Sequence, residues 1–294
     1  MRLLIASCVM LFGMPLRADD RDYADALKKA GNNIKLEKDG RLTAITFSKS
    51  EMLSDDDYKQ LGTLNDLKQL TFYGNCKMID PQAEHIGRLT TIEQMAINGT
   101  ALSDAGFEHF GKLKNLKRLT FWHLGWQKVE ISGKGFAALA GCPNLEAFGF
   151  AGSTIGDEGL KALTVVKSLK EVTAYHTRIT DAGLELLKAL PNLITVNVGP
   201  QFSMRLSDTG LATLAAIPTL EAIAYNETIL TYDGSLKHLK NLKGLKKLTF
   251  EKVEIGNADL AKLKADLPNV AIVHEPPDTK MLEQMRKIQE RNKK

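Results

Sequence analysis

The side chains equipped for chemistry are few: six histidines, two cysteines beyond the N-terminal stretch, and an aspartate that recurs at a fixed position. His85, His109 and His238 lie in stretches with helical spacing and read as surface residues. His123 and His176 differ, because each directly follows an alternating apolar stretch that reads as a strand. With a nearby carboxylate, two such imidazoles are a starting point for acid–base hydrolysis. Around them the sequence supplies no Walker loop, G-x-G-x-x-G, H-E-x-x-H or G-x-S-x-G string. Asp104, Asp157, Asp181 and Asp208 resemble a carboxylate array, but their identical surroundings predict helix capping. No C-x-x-C or other metal-ligand spacing occurs, so neither a metal nor a cofactor is expected.

The elements that must hold these residues follow from a period of about 24 residues. Units start at Leu42, Leu67, Ile92, Leu116, Leu145, Leu169, Leu193, Leu220 and Leu245, with a truncated one at Val270. The shared pattern is L-x-x-h-x-h-x-x-[S/T]-x-I-x-D-x-G-L-x-x-L, where h is apolar. One unit cannot bury its apolar face alone, so the units must stack into a solenoid. In each unit the first half alternates like a short strand, as in Val172–Tyr175. The second half has helical spacing, as at Leu160 and Leu163 or Leu184 and Leu187. Ser103-Asp104, Thr180-Asp181 and Ser207-Asp208 mark helix starts. The expected fold is a right-handed α/β horseshoe, with a parallel sheet on the concave side and helices on the convex side.

Three positions after the last inward strand residue comes a small polar residue: Ser50, Asn75, Thr100, Ser153, Thr177 and Thr228. The row is expected to satisfy backbone groups where the chain turns away from the sheet. It fails at Leu124 and Gln201, in the units lengthened by insertions at 123–132 and 199–207. Cys76 and Cys142 stand about three coils apart, and strands are spaced about 4.8 Å apart. That separation exceeds disulfide reach, so both are expected as buried free thiols.

The units resemble leucine-rich repeats of the ribonuclease-inhibitor-like or cysteine-containing type, with the ITDAGL string at 179–184 carrying the likeness most clearly. The segment ahead of them is similar to the N-terminal cap of secreted bacterial proteins of this kind. It comprises a helix over 21–30, Gly31 and a hairpin turned at Asp39-Gly40. The resemblance implies the fold strongly and function weakly, since such repeats serve many partners.

The termini suggest a location. Arg2, an apolar stretch over 3–16 and Leu16-Arg17-Ala18 read as a cleaved signal peptide over 1–18. IASC at 5–8 is similar to a lipoprotein cleavage box, but it leaves almost no apolar segment before Cys8, so a lipid anchor is not expected. The expected organisation is a cap over 19–41, repeats over 42–275 (nine full coils and a partial one) and a basic tail over 276–294. In the tail, Met281, Met285 and Ile288 permit an amphipathic helix capping the last coil, although a basic extension without fixed structure is favoured. The tail holds most of the net charge, and the rest of the body is close to neutral. A nucleic-acid groove is therefore not expected.

The binding candidates lie on the outward strand positions. Their middle row is small: Thr46, Thr71, Ala96, Thr120, Gly149, Thr173, Asn197, Ala224, Thr249. The next row carries Tyr73, Trp122 and Tyr175, aromatics with no core to fill. With the insertions they suggest a cleft lined by Trp122, His123, Trp126, Tyr175, His176 and Phe202. The alternative is that Trp126 and Phe202 fold back and plug their own loops. The expected function is a non-catalytic module of the periplasm or exterior, monomeric and without a membrane segment once the signal is removed. A protein or peptide is the expected partner. A glycan is the second choice, and a hydrolase using His123 and His176 is a distant third.

Overall fold

The structure, a computed structural model, describes residues 20–125, 129–200 and 206–292. The signal segment over 1–18, Trp126 and Phe202 lie outside the described residues.

Each apolar-alternating stretch is a strand. They are β1 (Asn33–Leu36), β2 (Leu42–Phe47), β3 (Gln69–Phe72), β4 (Gln94–Asn98), β5 (Arg118–Trp122), β6 (Ala147–Ala151), β7 (Glu171–Thr177), β8 (Thr195–Pro200), β9 (Ala222–Tyr225), β10 (Ile229–Leu230), β11 (Lys247–Glu251), β12 (Glu254–Ile255) and β13 (Ala271–Glu275). Eleven of these form one sheet in chain order, with β10 and β12 pairing separately. β1 and β2 are antiparallel and close the N-terminal edge, and from β2 onward every pair in the sheet is parallel. The register follows the repeat: Leu119 lies opposite Phe148, and Val172 opposite Val196. These side chains face inward and are buried, while Thr120 and Thr173 face the open side.

A helical segment follows each strand of a full coil and covers the inward face. After α1 (Arg21–Lys29) in the cap, α2 (Asp55–Leu61), α3 (Asp80–Ile86), α4 (Phe107–Phe110), α5 (Asp157–Leu163), α6 (Asp181–Leu184), α7 (Asp208–Leu214) and α8 (Asn257–Asp266) are α-helical. Coils 4 and 8 use 3₁₀ turns instead, at Lys134–Gly141 and Leu236–Asn241. Leu160, Leu163, Leu184 and Leu187 are buried, so the helical spacing marks the core face. Where coil 4 carries its insertion the core turns aromatic: Phe136 packs edge-on against Phe107 and Phe148 at 4.9 and 4.8 Å. Cys76 and Cys142 are free and buried, and burial pushes both thiols up to about 11.

The recurring aspartates join neighbouring coils. Each Ser or Thr hydroxyl accepts a bond from the first turn of its own helix, as Thr180 does from the Gly183 N–H. The carboxylate beside it accepts from the next coil. Asp80 takes the N–H and hydroxyl of Ser103, Asp104 those of Ser132, and Asp157 those of Thr180. Asp181 takes those of Ser207, and Asp208 those of Thr231. The expected capping role therefore belongs to the hydroxyls, and the carboxylates hold the stack in register. The ladder is interrupted at three junctions: between coils 4 and 5 Gly133 and Gly156 replace acceptor and donor, between coils 8 and 9 Tyr232 and Gly256 do, and between coils 1 and 2 Ile79 has no hydroxyl and Asp55 accepts instead from Gln82 Nε2 at 2.7 Å.

The tail differs from the favoured expectation. Residues Thr279–Asn292 form a helix, α9, whose start is tied by the Met281 N–H donating to Asp278 Oδ1 at 2.7 Å. Burial of Met285 against the coils supplies the anchor that a free basic extension lacks. Among the described residues no helix is long and apolar enough to cross a membrane.

Candidate functional site

On the open face the structure separates the aromatic row. Tyr73 is 53% exposed, whereas Trp122 and Tyr175 are half-buried. Tyr175 lies across the next coil, where a Cβ on Gly199 would stand 2.8 Å from its ring. The ring needs that glycine, and its hydroxyl then reaches coil 8, donating to Glu227 Oε1 at 3.2 Å. His176 stacks on Tyr175 with centroids 3.9 Å apart and brings Nε2 to 2.7 Å from the same oxygen.

His123 belongs to a different arrangement. Its Nδ1 lies 2.6 Å from Asn98 Oδ1 in the preceding coil, and its ring covers Gly152. The two imidazoles are thus held by different coils, and the cleft expected around both divides into a Trp122–His123–Asn98 group and a Tyr175–His176–Glu227 group. The plug-or-open choice for the insertions concerns Trp126 and Phe202, outside the described residues.

The residue that sequence reasoning missed is Glu227. It occupies the position just after the strand, which reads Lys49, Gly74, Gly99, His123, Gly152, His176, Pro200, Glu227 and Lys252 down the coils. The chain turns there through left-handed backbone: φ is +83°, +72° and +60° at Gly74, Gly99 and Gly152. His123, His176, Glu227 and Lys252 adopt φ of 60°, 54°, 53° and 56° without being glycine. Each such residue costs about 1–2 kcal/mol relative to ordinary backbone. Glycine in three coils was the available signal, because it marks His123, His176, Glu227 and Lys252 in that column as tolerated at a cost, whereas Lys49 and Pro200 keep negative φ.

Glu227 adds a second cost. Its side chain is 1% exposed, and Oε2 has no hydrogen-bond partner among the described residues. Lys252 Nζ approaches Oε1 only to 3.9 Å. Burial, then the charge of Glu227 and its hydrogen bond, hold the Tyr175 phenol well above its ordinary value, so Tyr175 stays a donor.

The small polar row is uneven. Ser50, Thr100, Ser153, Thr177 and Thr228 are buried, but Asn75 is exposed. Ser50 donates to the Tyr73 carbonyl, Thr177 to Ala174 O at 2.9 Å and Thr228 to Leu206 O at 2.8 Å. Ser153 accepts from the Ile155 N–H at 3.0 Å. The Thr100 hydroxyl has no partner among the described residues, so the row is a series of separate backbone ties and not a continuous ladder. Among the described residues no three His, Cys, Asp or Glu side chains gather as a metal site.

No protein-family model matches the chain, and no curated protein matches it. Solved structures do resemble it. An internalin C2 of Listeria monocytogenes is 18% identical with a TM-score of 0.47, over 76% of this chain and 84% of that one. An internalin (inlF) of the same species is 16% identical with a TM-score of 0.45, over 91% and 93%. A leucine-rich repeat protein of Leptospira interrogans is 16% identical with a TM-score of 0.47, over 77% and 58%.

Proposed function

We propose that the chain is a non-catalytic module that holds a protein or peptide on the open face of its sheet, in the periplasm or outside the cell. One observation carries this reading: Tyr73, Trp122 and Tyr175 stand on that face above a floor of small residues, with their rings at least partly in solvent. Large aromatics on a rigid surface anchor interfaces at low entropic cost. The division of His123 and His176 between separate partners supports binding over hydrolysis. The N-terminal signal-like segment supports the location.

The test is a capture from envelope extract run beside a glycan array, with wild type and Trp122→Ala. Protein capture that weakens in the variant is the expected result. Saturable glycan binding that weakens in the variant, with no protein captured, would replace this reading with sugar recognition.

A further inference from the structure

Helix α9 runs back from the last coil and closes one side of a cavity of about 340 Å³. That size falls at the lower end of small-molecule pockets. Glu227 forms part of the opposite wall. Met281, Met285 and Ile288 give the helix side an apolar surface, and Lys287 and Arg291 stand on the same lining. Neither cation has an acidic partner among the described residues. The cavity lining therefore combines three features: a buried glutamate with one unpartnered carboxylate oxygen, two cations with no acidic partner among the described residues, and apolar side chains.

The fold itself does not require Glu227. Glycine occupies the same position in coils 2, 3 and 5, where it avoids the left-handed strain. A carboxylate at this point is both strained and buried with an idle acceptor, and such costs persist where they serve a site. Tyr175 and His176 fix Oε1, which leaves Oε2 for a donor from outside the coils.

We propose that this cavity binds a small zwitterion: a free α-amino acid with an apolar side chain, or a dipeptide of such residues. The ammonium group donates to Glu227, the carboxylate lies toward Lys287 and Arg291, and the apolar body rests on Met281, Met285 and Ile288. This cavity adjoins the open face at Glu227, which Tyr175 and His176 hold, but the rest of its lining comes from α9, and zwitterion binding is read independently of macromolecule capture.

Isothermal titration of the full chain with L-leucine and with leucyl-leucine tests the assignment, and the pair reports which length fits. Isopentylamine and 4-methylpentanoate, each lacking one charged end, are titrated alongside. The expected result is saturable binding of leucine or its dipeptide, weakened about tenfold or more by Glu227→Gln and by Lys287→Ala/Arg291→Ala. Lys161→Ala, on the helical layer away from the cavity, should bind as wild type. Without ligand, Glu227→Gly should unfold at or above the wild-type temperature, because it removes strain and a buried charge. Failure of both zwitterions to bind would overturn the proposal, as would isopentylamine binding as tightly as leucine. A marked loss of stability in Glu227→Gly, with leucine binding unchanged, would make Glu227 a structural tie for Tyr175 and His176.

Discussion

Glycines at 152 and 199 let neighbouring side chains cross from one coil to the next, and this governs the residues of interest. His123 covers one, and Tyr175 covers the other to reach Glu227. Tyr175→Ala should weaken partner binding by about 2 kcal/mol or more, as a buried anchor does. Tyr73→Ala should leave stability within about 0.5 kcal/mol, because the side chain is exposed. Paired binding and thermal-unfolding measurements check both, and a large fall in stability for Tyr73→Ala would show that it packs where it is read as free. Cys76 and Cys142 should resist thiol reagents in the native state, since both are buried and their thiols are pushed up to about 11. Labelling at the same rate before and after denaturation would contradict that. At this scale the sequence was only partly legible. His176 stood out by its place after a strand, but its partner lies 51 residues away. Only stacking of coils 6 and 8 across Pro200 brings them together, and no local pattern encodes that contact.

Between elements, the stack is tied by pairs of complementary groups one coil apart. The Asp-to-Ser/Thr ladder runs beside the helix starts of coils 2 to 4 and 5 to 8, and a charged row runs beside the strands: Glu93 with Lys117, Glu146 with Lys170, Glu221 with Lys246. The charged row is exposed and contributes little per pair. The aspartates matter more, because each satisfies a backbone N–H as well as a hydroxyl. Asp157→Ala should destabilise the chain by about 1–3 kcal/mol by stranding both donors of Thr180. Burial alone would raise the Asp104 carboxyl, but the N–H groups of Gly135, Ser132 and Gly133 and the Ser132 hydroxyl outweigh it and hold it below 3.8. A carboxyl depressed in the folded state stabilises fully above its unfolded value and loses that contribution as pH falls through the folded one. Stability should therefore drop below about pH 4, and Asp104→Asn should flatten that drop in acid unfolding curves. The sequence motif placed these aspartates correctly at helix starts. It could not show that they serve the following coil, because capping one's own helix and capping the next use the same residue types.

For the molecule as a whole, the period carried the architecture. Nine successive units of strand and helical segment leave no other way to bury Leu163 and its counterparts, and the eleven-stranded sheet follows. Leu163→Ala should cost about 2–5 kcal/mol and propagate to both neighbouring coils, measurable as earlier thermal unfolding. Helix α9 was less legible, since its spacing fitted a helix but the burial of Met285 that anchors it, beside Glu227 of coil 8, exists only in the folded stack. The open face of the sheet is the proposed seat of the partner. A photo-crosslinking residue placed at Thr120 or Thr173, on the half-buried floor beside Trp122 and Tyr175, reports directly on what touches that face. The same probe at Lys161 on α5 samples the helical layer. In envelope extract, one protein adduct common to positions 120 and 173 and missing from 161 is the predicted result. Adducts at 161 with none from either sheet position would place the partner on the helices and contradict the account.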